Sequence, residues 1–408
     1  RACDSGDPPG RGVMSLVRVL IAPERYAGLL GPLDAAATLA RGWAVGAPHD
    51  VIESLPLSDG GPGFVDTMAA AIGGEVQVVT VDDPWGRPTP TTMLVSGDGS
   101  AVFLEAAQVC GEHLQQPTDD PAAATSVGLG QLVATALALR PERVVVGLGG
   151  AVVLDAGLGL LAALIPDRPE LARSRAALGG GAAGLVALHP DDLRALGDAV
   201  DRVAGTRLVG LGDLQQPLLG LAGVAATHGP DVGADAAAAQ LIESALGYAV
   251  DLIRRTRPEP RDLLSGTTVR LDRRPGAGAG AGLGFGLAVL GADLRDGAVE
   301  GPDLVGLPGA IARADLVVTG SAVLGWESLR SSAGVTVAAA AQAGGIPAVA
   351  VCGRVEAGRR ETMAAGFSGT YAVAGSLAAW STFATSPAHA LAVRAEAVAR
   401  TWSPPPRS

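Results

Sequence analysis

Short apolar segments that end at glycine or at a turn recur along the chain, and each is accompanied by a stretch rich in alanine and leucine. The first, LVRVLIAP at 16–23, precedes DAAATLARGWAV at 34–45, and the others are RVVVGLGG at 143–150, ADLVVTG at 314–320 and PAVAVCG at 347–353. Nearly continuous apolar strands are typical of a parallel sheet that is covered on both faces. The pattern therefore predicts repeated βα units, whose ligands bind beyond the carboxyl ends of the strands.

Other segments predict a second domain. Residues 75–108 alternate apolar and polar positions, which favours strands of a mixed or antiparallel sheet. Residues 166–185 and 255–282 are rich in glycine, arginine and proline, and they flank a helix-like segment at 235–255. The glycine-rich segment at 275–292 ends in an apolar run, which predicts a dense loop that leads into a helix. We predict an α/β fold, with a doubly wound, mostly parallel domain, a second inserted α/β domain and a cleft between them.

These patterns also give approximate domain boundaries. The polar, turn-rich start of the chain predicts a disordered extension at 1–13, with a strand soon after Met14. The first domain is predicted to be Rossmann-like or flavodoxin-like. The predicted segments are 14–74, 118–165 and 292–395 for the first domain, 75–117 and 166–291 for the second, and 396–408 for a tail.

Composition narrows the class of protein further. With 48% apolar and 17% charged residues, the chain can bury a large core, and its net charge of −11 argues against a nucleic-acid binder. Cys3, Cys110 and Cys352 are too few and too scattered for a disulfide framework or a zinc site, so we predict a reducing, cytoplasmic setting. Charges and glycines interrupt every long apolar stretch, and we therefore predict no membrane span.

The chain contains no lysine and no asparagine, and all 30 of its basic residues are arginine. A protein without lysine cannot carry a Walker A lysine, the ATP-binding lysine of protein kinases or a Schiff-base lysine. Without asparagine it cannot carry an N-glycosylation acceptor or an asparagine oxyanion donor. These enzyme classes are excluded by composition alone.

Six glycine-marked segments stand in a fixed order along the chain. They are IAPERYAG (21–28), LPLSDGGPGFVD (55–66), GLGGAVVLDAGLGLLAAL (147–164), GDLQQPLLGLAGVAATHGPDVGAD (212–235), GAGAGAGLGFGL (276–287) and DLVVTGSAVLGWESL (315–329). In that order they resemble the motifs of the glycerate kinase family, which phosphorylates glycerate with ATP. The resemblance spans about residues 16–375 and implies two α/β domains around a cleft.

The resemblance also implies a set of site residues. Asp155 is the candidate base for the glycerate hydroxyl, and Asp59, Asp213 and Glu24 are candidates for the vicinity of the substrate or metal. The implied ligands are glycerate, ATP and Mg²⁺. The glycines implied in phosphate binding are Gly60, Gly61, Gly149, Gly150, Gly278, Gly280 and Gly320. The alternative is structural, because aspartate beside glycine often caps a helix or closes an Asx turn.

The chain departs from the family motifs at their cationic positions. Where the family has lysine, this chain has Ala27, the pair Asp231 and Val232, and Ser332, and none of these positions has become arginine. Phosphoryl transfer needs positive groups around the phosphates, and Arg25 and Arg354 are the candidates to replace them. Both could equally be solvated surface arginines.

Two hypotheses therefore stay open. The first is a kinase for glycerate or a related hydroxy acid, with full or impaired activity. The second is a non-catalytic, glycerate-kinase-like pseudoenzyme with a binding or regulatory role. The sequence does not determine the oligomeric state.

Overall fold

The computed structural model of the chain describes residues 16–257, 261 and 266–404. The predicted extension at 1–13 lies outside these residues. The strands are β1 (Arg18–Ile21), β2 (Val51–Ser54), β3 (Glu75–Asp82), β4 (Pro88–Val95), β5 (Ala101–Glu105), β6 (Arg143–Gly147), β7 (Arg207–Gly212), β8 (Asp293–Asp296), β9 (Leu316–Thr319), β10 (Val323–Leu324), β11 (Ala348–Cys352), β12 (Arg354–Val355) and β13 (Gly369–Ala372).

Helices connect and cover these strands. They are α1 (Pro32–Gly46), α2 (Phe64–Ile72), α3 (Ala107–Cys110), α4 (Val127–Ala138), α5 (Leu158–Leu164), α6 (Ala172–Leu178), α7 (Gly181–Leu185), α8 (Leu196–Val203), α9 (Val224–His228), α10 (Ala236–Thr256), α11 (Leu283–Val289), α12 (Gly297–Leu304), α13 (Leu307–Ile311), α14 (Trp326–Arg330), α15 (Ala333–Ala343), α16 (Arg359–Ala364), α17 (Leu377–Thr385) and α18 (Pro387–Trp402).

The first sheet is parallel throughout, with the strand order β13-β11-β9-β1-β2. Val19 lies opposite Leu316, and Arg18 lies opposite Val51. The central strands β1, β9 and β11 are almost completely buried, which explains why they are nearly continuous apolar runs in the sequence. The predictions of strands at 16–23, 314–320 and 347–353 and of a doubly wound parallel sheet are confirmed.

The second sheet has the order β3-β4-β5-β6-β7-β8. The strand β4 pairs in antiparallel orientation with both β3 and β5, and the neighbouring strands from β5 to β8 pair in parallel. The alternating segment at 75–108 thus forms the antiparallel part of a mixed sheet, as predicted. The structure divides the chain differently from the predicted boundaries, because β6 and β8 pair within this second sheet. An apolar run such as RVVVG fits a parallel strand of either sheet, and only its pairing with β5 and β7 decides the domain.

An apolar layer joins the two sheets. Leu20 and Val317 from the first sheet belong to the same buried cluster as Phe103 and Leu211 from the second. Phe64 of α2 lies in this layer, with its ring centroid 6.1 Å from that of Phe103 at an interplanar angle of 64°. The helices α1, α17 and α18 cover the outer face of the first sheet, and α4, α5, α10 and α11 cover the outer face of the second. The shared layer fixes the two sheets relative to each other.

Two helical segments, Pro121–Ala138 and Ala236–Thr256, are long and apolar enough to cross a membrane by length and composition alone. Both also contribute to the core: α4 buries Leu129 and Leu132, and α10 buries Ile242 and Leu246.

The predicted tail at 396–408 is partly helical, because α18 continues to Trp402.

Candidate functional site

A half-buried carboxyl group, that of Glu24, lies just after the end of β1. The backbone N–H of Gly334, in the first turn of α15, donates a hydrogen bond to Oε1 of Glu24, and the hydroxyl of Ser332 also bonds to Glu24. Burial and the nearby charge of Asp59 raise the pKa of Glu24 from its ordinary 4.5 to about 7, against the opposing effects of these hydrogen bonds and of Arg25. A carboxyl group with this pKa exchanges a proton readily near neutral pH.

Asp59 and Arg25 lie on the other side of this carboxyl group. Asp59 follows β2, and its Oδ1 accepts a 2.9 Å hydrogen bond from the N–H of Gly61. A β-carbon built on Gly61 would lie 2.9 Å from Oδ1 of Asp59 and 3.4 Å from Nε of Arg25, which places the arginine against the same loop. Within the described part of the chain, Arg25 forms no hydrogen bond or ion pair. Its N–H groups are therefore available to an anion.

A buried hydroxyl group from the first sheet also borders this site. Thr319, at the end of β9, is 1% exposed, and its hydroxyl has no hydrogen-bond partner among the described residues. A β-carbon built on Gly334 would lie 3.0 Å from Oε1 of Glu24 and 3.5 Å from Oγ1 of Thr319, so the hydroxyl borders the Glu24 carboxyl. Leaving a buried hydroxyl unpaired costs about 1–3 kcal/mol, so Thr319 is a candidate for contact with a ligand at this site.

The second sheet contributes Asp296, the last residue of β8. Its Oδ1 accepts hydrogen bonds from the N–H of Ala298 at 3.0 Å and from the hydroxyl of Ser331 at 3.4 Å. Ser331 immediately precedes Ser332, the N-cap of α15. Residues at or just after the carboxyl ends of strands from both sheets thus meet at this site, which is where ligands bind in open α/β sheets.

Asp155 occupies a different environment. It is completely buried, and its two oxygens accept hydrogen bonds from the N–H groups of Ser126, Gly157 and Gly159 and from the hydroxyls of Thr125 and Ser126, at 2.7–3.3 Å. Burial raises the pKa of Asp155, and the bonds from Ser126, Gly157 and Gly159 oppose that rise. Both oxygens are occupied, which favours a role in holding the loop before α5.

All three aspartates retained from the family motifs close an Asx turn. Oδ1 of Asp155 accepts from Gly157 N–H at 2.8 Å, that of Asp59 from Gly61 at 2.9 Å, and that of Asp213 from Gln215 at 2.8 Å. This is the alternative that the sequence left open for them. Of the three, only Asp59 also lies close enough to Glu24 for its charge to raise the Glu24 pKa. Asp213 is exposed at the end of β7.

Four of the seven glycines predicted to bind phosphate already donate their N–H groups inside the protein. The pairs are Gly60 to Oγ of Ser58 (3.2 Å), Gly61 to Oδ1 of Asp59 (2.9 Å), Gly149 to O of Gly60 (3.1 Å) and Gly278 to O of Gln216 (3.2 Å). These four amides are not free to cradle a phosphate.

The predicted glycines instead permit close backbone packing. A β-carbon on Gly149 would lie 2.8 Å from Cα of Gly61, and one on Gly150 would lie 2.8 Å from Cγ of Pro62. Around Gly280 and Gly320 the space is likewise filled, by the carbonyl groups of Leu148 and Val351. Gly149 and Gly61 come from loops after strands of different sheets, so this packing joins the sheets beside the site.

Arg354, the second candidate cation, is already engaged. Its guanidinium forms a 2.7 Å ion pair with Glu356, and its Cζ lies 5.8 Å from the ring centroid of Trp380. Arg25 is therefore the better candidate of the two for binding a phosphate.

The sequence did not single out Thr319 or Asp296 as site residues. Thr319 lies within a motif where it was interpreted only as part of a strand. Asp296 ends the segment DLRD, a strand that is too polar to be recognised from an apolar pattern.

Comparison with known proteins identifies the family of this chain. The sequence profile described as the glycerate kinase family matches residues 19–403. The chain belongs to the glycerate kinase family. Membership implies ATP as a substrate, and it agrees with the six glycine-marked segments identified in the sequence.

Several relatives and one solved structure cover most of the chain. It is 32% identical to an uncharacterized protein of Mycobacterium bovis, Mb2228c, over 90% of this chain and 86% of the relative. It is 28% identical to the glycerate kinase of Bacillus subtilis and to the glycerate 2-kinase of Escherichia coli, over 83% of this chain and 85% of each relative. A crystal structure provisionally assigned as glycerate kinase 2 from Salmonella typhimurium LT2 superposes with a TM-score of 0.73 at 28% identity, covering 95% of this chain and 98% of that one.

Proposed function

We propose that this protein transfers the γ-phosphoryl group of ATP to a hydroxyl group of glycerate or a closely related hydroxy acid. The observation that carries the proposal is the cluster formed by Glu24, Asp59 and Arg25 beyond the carboxyl ends of β1 and β2. It brings together a carboxyl group of pKa about 7, a second carboxylate and a guanidinium without a partner among the described residues. Phosphoryl transfer needs little more from a protein than positioning, charge and a proton acceptor.

In this proposal Glu24 is the base. Its ionised carboxylate accepts the proton of the substrate hydroxyl as the hydroxyl oxygen bonds to the γ-phosphorus atom and the bond to ADP breaks. Thr319 donates or accepts a hydrogen bond to the bound substrate, which satisfies its buried hydroxyl. Asp155, which the family resemblance suggested as the base, is proposed to position the loop between β6 and α5, because its oxygens are occupied.

The cluster also suits the metal ion that phosphoryl transfer requires. Among the described residues no group of three or more His, Cys, Asp or Glu side chains could hold a metal ion. Mg²⁺ is usually held by one or two carboxylates together with water and substrate phosphates, so Asp59 fits it, and Glu24 stays free to accept the proton. Bound there, it would neutralise charge on the phosphates. Arg25 is proposed to bind the transferring phosphoryl group, as lysine does in the family motifs.

The pseudoenzyme is the second candidate. The observations in its favour are the absence of lysine and the internal hydrogen bonds of Gly60, Gly61, Gly149 and Gly278. In either case we place the protein in the cytoplasm, a proposal that agrees with the free, buried thiols of Cys110 and Cys352.

ADP release, measured by a coupled assay with D-glycerate, ATP and Mg²⁺, tests the proposal. We expect turnover by the wild type, and a loss of about 10² or more in kcat/KM for Arg25→Gln, because one preorganised electrostatic donor contributes about that much. Arg41→Gln is the matched control, since Arg41 is exposed on α1 and its side chain donates a hydrogen bond to the neighbouring Thr38 hydroxyl; it should leave kcat/KM unchanged.

One result would contradict the role proposed for Arg25, and another would contradict the kinase proposal itself. Turnover that is equal in the wild type and in Arg25→Gln would remove Arg25 from the site. Absence of ADP release with glycerate and several related hydroxy acids, together with retained binding of ATP by calorimetry, would establish the pseudoenzyme instead.

A further inference from the structure

A cavity of about 250 Å³ lies on the outer side of the second sheet, away from the cleft. It is enclosed by α8, α10, α11 and the short 3₁₀ turn Leu271–Arg273. Gly291, at its border, precedes the amino end of β8, whereas the cleft lies at the carboxyl ends of the strands. The walls are mainly apolar and are formed by Val200, Val250, Ile253, Leu271, Phe285, Ala288, Val289 and Leu290.

Three charged side chains border this cavity, and two of them form ion pairs. Arg254 pairs with Asp251 at 2.7 Å, and Asp272 pairs with Arg270 at 2.6 Å. Arg257, the residue after the end of α10, forms no ion pair with any residue that the structure describes. Its only hydrogen bond there is a long one, 3.4 Å, to the carbonyl oxygen of Leu196. The cavity therefore combines apolar walls with one arginine that has no ion-pair partner among the described residues.

Burial of Arg257 supports this description. Its guanidinium is about half buried, and burial lowers the pKa of Arg257; among the described residues no carboxylate opposes that effect. A guanidinium in this setting gains most from a partner that replaces lost water with charge-assisted, bidentate hydrogen bonds. A carboxylate has that geometry. The apolar walls favour a ligand whose remaining atoms are also apolar.

We propose that this cavity is a second ligand site, for a small monocarboxylate with a branched or aromatic apolar body. The carboxylate pairs with Arg257, and the body fills the space between α10 and α11. A phosphate or a dicarboxylate fits poorly, because each would bring further charge against walls on which, in the described part of the chain, Arg257 alone lacks an ion-pair partner.

The helix α11 forms a wall of the cavity and also packs against the loop that Asp155 holds. Phe285 and Ala288 face the cavity, and Gly286, between them, packs on Gly157: a β-carbon on Gly157 would lie 3.0 Å from Cα of Gly286. Gly157 in turn donates its N–H to Asp155. A ligand that stabilises α11 also stabilises the loop that Asp155 holds, so we expect occupancy to raise thermal stability.

A binding experiment on the full chain tests the proposal without requiring turnover. The probe is 4-fluorobenzoate, followed by fluorine NMR during titration with the protein. We expect saturable binding with a Kd of about 1 mM or tighter, which is ordinary for a ligand of this size in an apolar cavity. The neutral analogue 4-fluorobenzyl alcohol should bind at least about tenfold more weakly, because it lacks the charge-assisted hydrogen bonds.

Variants locate the site. Arg257→Gln should weaken 4-fluorobenzoate binding at least about tenfold and abolish the rise in melting temperature, and Arg257→Lys should retain part of the affinity. Arg255→Gln is the matched control, since Arg255 is exposed on the same helix end and pairs with Asp251; its affinity should equal that of the wild type. Ala288→Leu should weaken binding by filling the cavity.

The proposal is overturned by any of three results: no saturable binding, equal binding of the alcohol and the acid, or an affinity that Arg257→Gln leaves unchanged. Because none of these readouts depends on phosphoryl transfer, an inactive protein would not obscure the outcome.

Discussion

Replacing Glu24 with glutamine should make the protein more stable at alkaline pH while it removes activity. Glutamine keeps an oxygen that can accept the hydrogen bond from Gly334 N–H, but it carries no charge beside Asp59. The variant therefore removes the unfavourable burial and repulsion that raise the pKa of Glu24.

The magnitude follows from that pKa. A carboxyl group whose pKa rises from 4.5 to about 7 on folding is less stable in its ionised form by about 3.4 kcal/mol, at about 1.36 kcal/mol for each pKa unit. Because the folded-state pKa is raised, the stabilising contribution is fully present below pH 4.5 and is lost as pH rises through 7. Between pH 5 and pH 8, wild-type stability should fall by about 2 to 3 kcal/mol relative to Glu24→Gln.

Urea unfolding at pH 5 and at pH 8 measures this difference. Glu142→Gln, at an exposed glutamate, is the control and should follow the wild type at both pH values. In the coupled assay, kcat/KM of the wild type should rise as Glu24 ionises near pH 7, and Glu24→Gln should lose about 10² or more in rate. If Glu24→Gln is less stable than the wild type at pH 8, or retains full activity, the assignment of Glu24 as a strained base is refuted.

Two further predictions concern the scaffold around the site. Asp155→Asn should lower the free energy of unfolding by at least about 2 kcal/mol, measured by urea unfolding at pH 7. The reason is that the new NH₂ group would face at least one buried N–H group whose hydrogen bond the carboxylate now accepts. Unchanged stability would show that Asp155 is not the support of its loop. Gly149→Ala should cost about 1–3 kcal/mol and lower kcat/KM, since its methyl group would lie 2.8 Å from Cα of Gly61, whereas Gly97→Ala, with open space around it, should change stability by less than about 0.5 kcal/mol. Equal effects of the two glycine substitutions would contradict the role of Gly149 in joining the sheets.

The central strands of the fold could be predicted because burial on both faces leaves a visible apolar run. The strand β2 is largely exposed and β8 is short and polar, so neither gave such a pattern. The sequence also did not show to which of the two sheets each strand belongs. The predicted boundaries assigned residues 118–165 to the first domain, whereas β6 pairs with β5 and β7 in the second sheet.

The sequence predicted which residue types belong to the candidate site, but not which role each residue has. The motifs singled out Glu24, Arg25 and Asp59, which the structure brings together, and also Asp155, which it buries. An aspartate beside glycine has the same sequence pattern whether its oxygens face a cleft or accept hydrogen bonds within a loop. Only the positions of the surrounding N–H groups distinguish the two cases.

The sequence by itself determined the α/β class, the family and the absence of every lysine-dependent mechanism, because these depend on residue type and order along the chain. The tertiary structure decided which cation is free and which carboxyl group has a raised pKa. Charge balance and burial are properties of neighbours that come from distant parts of the chain: Glu24 from the first loop, Asp59 from the second, and Gly334 from a helix about 300 residues later. That juxtaposition is produced by folding, and the chemistry of the site depends on it.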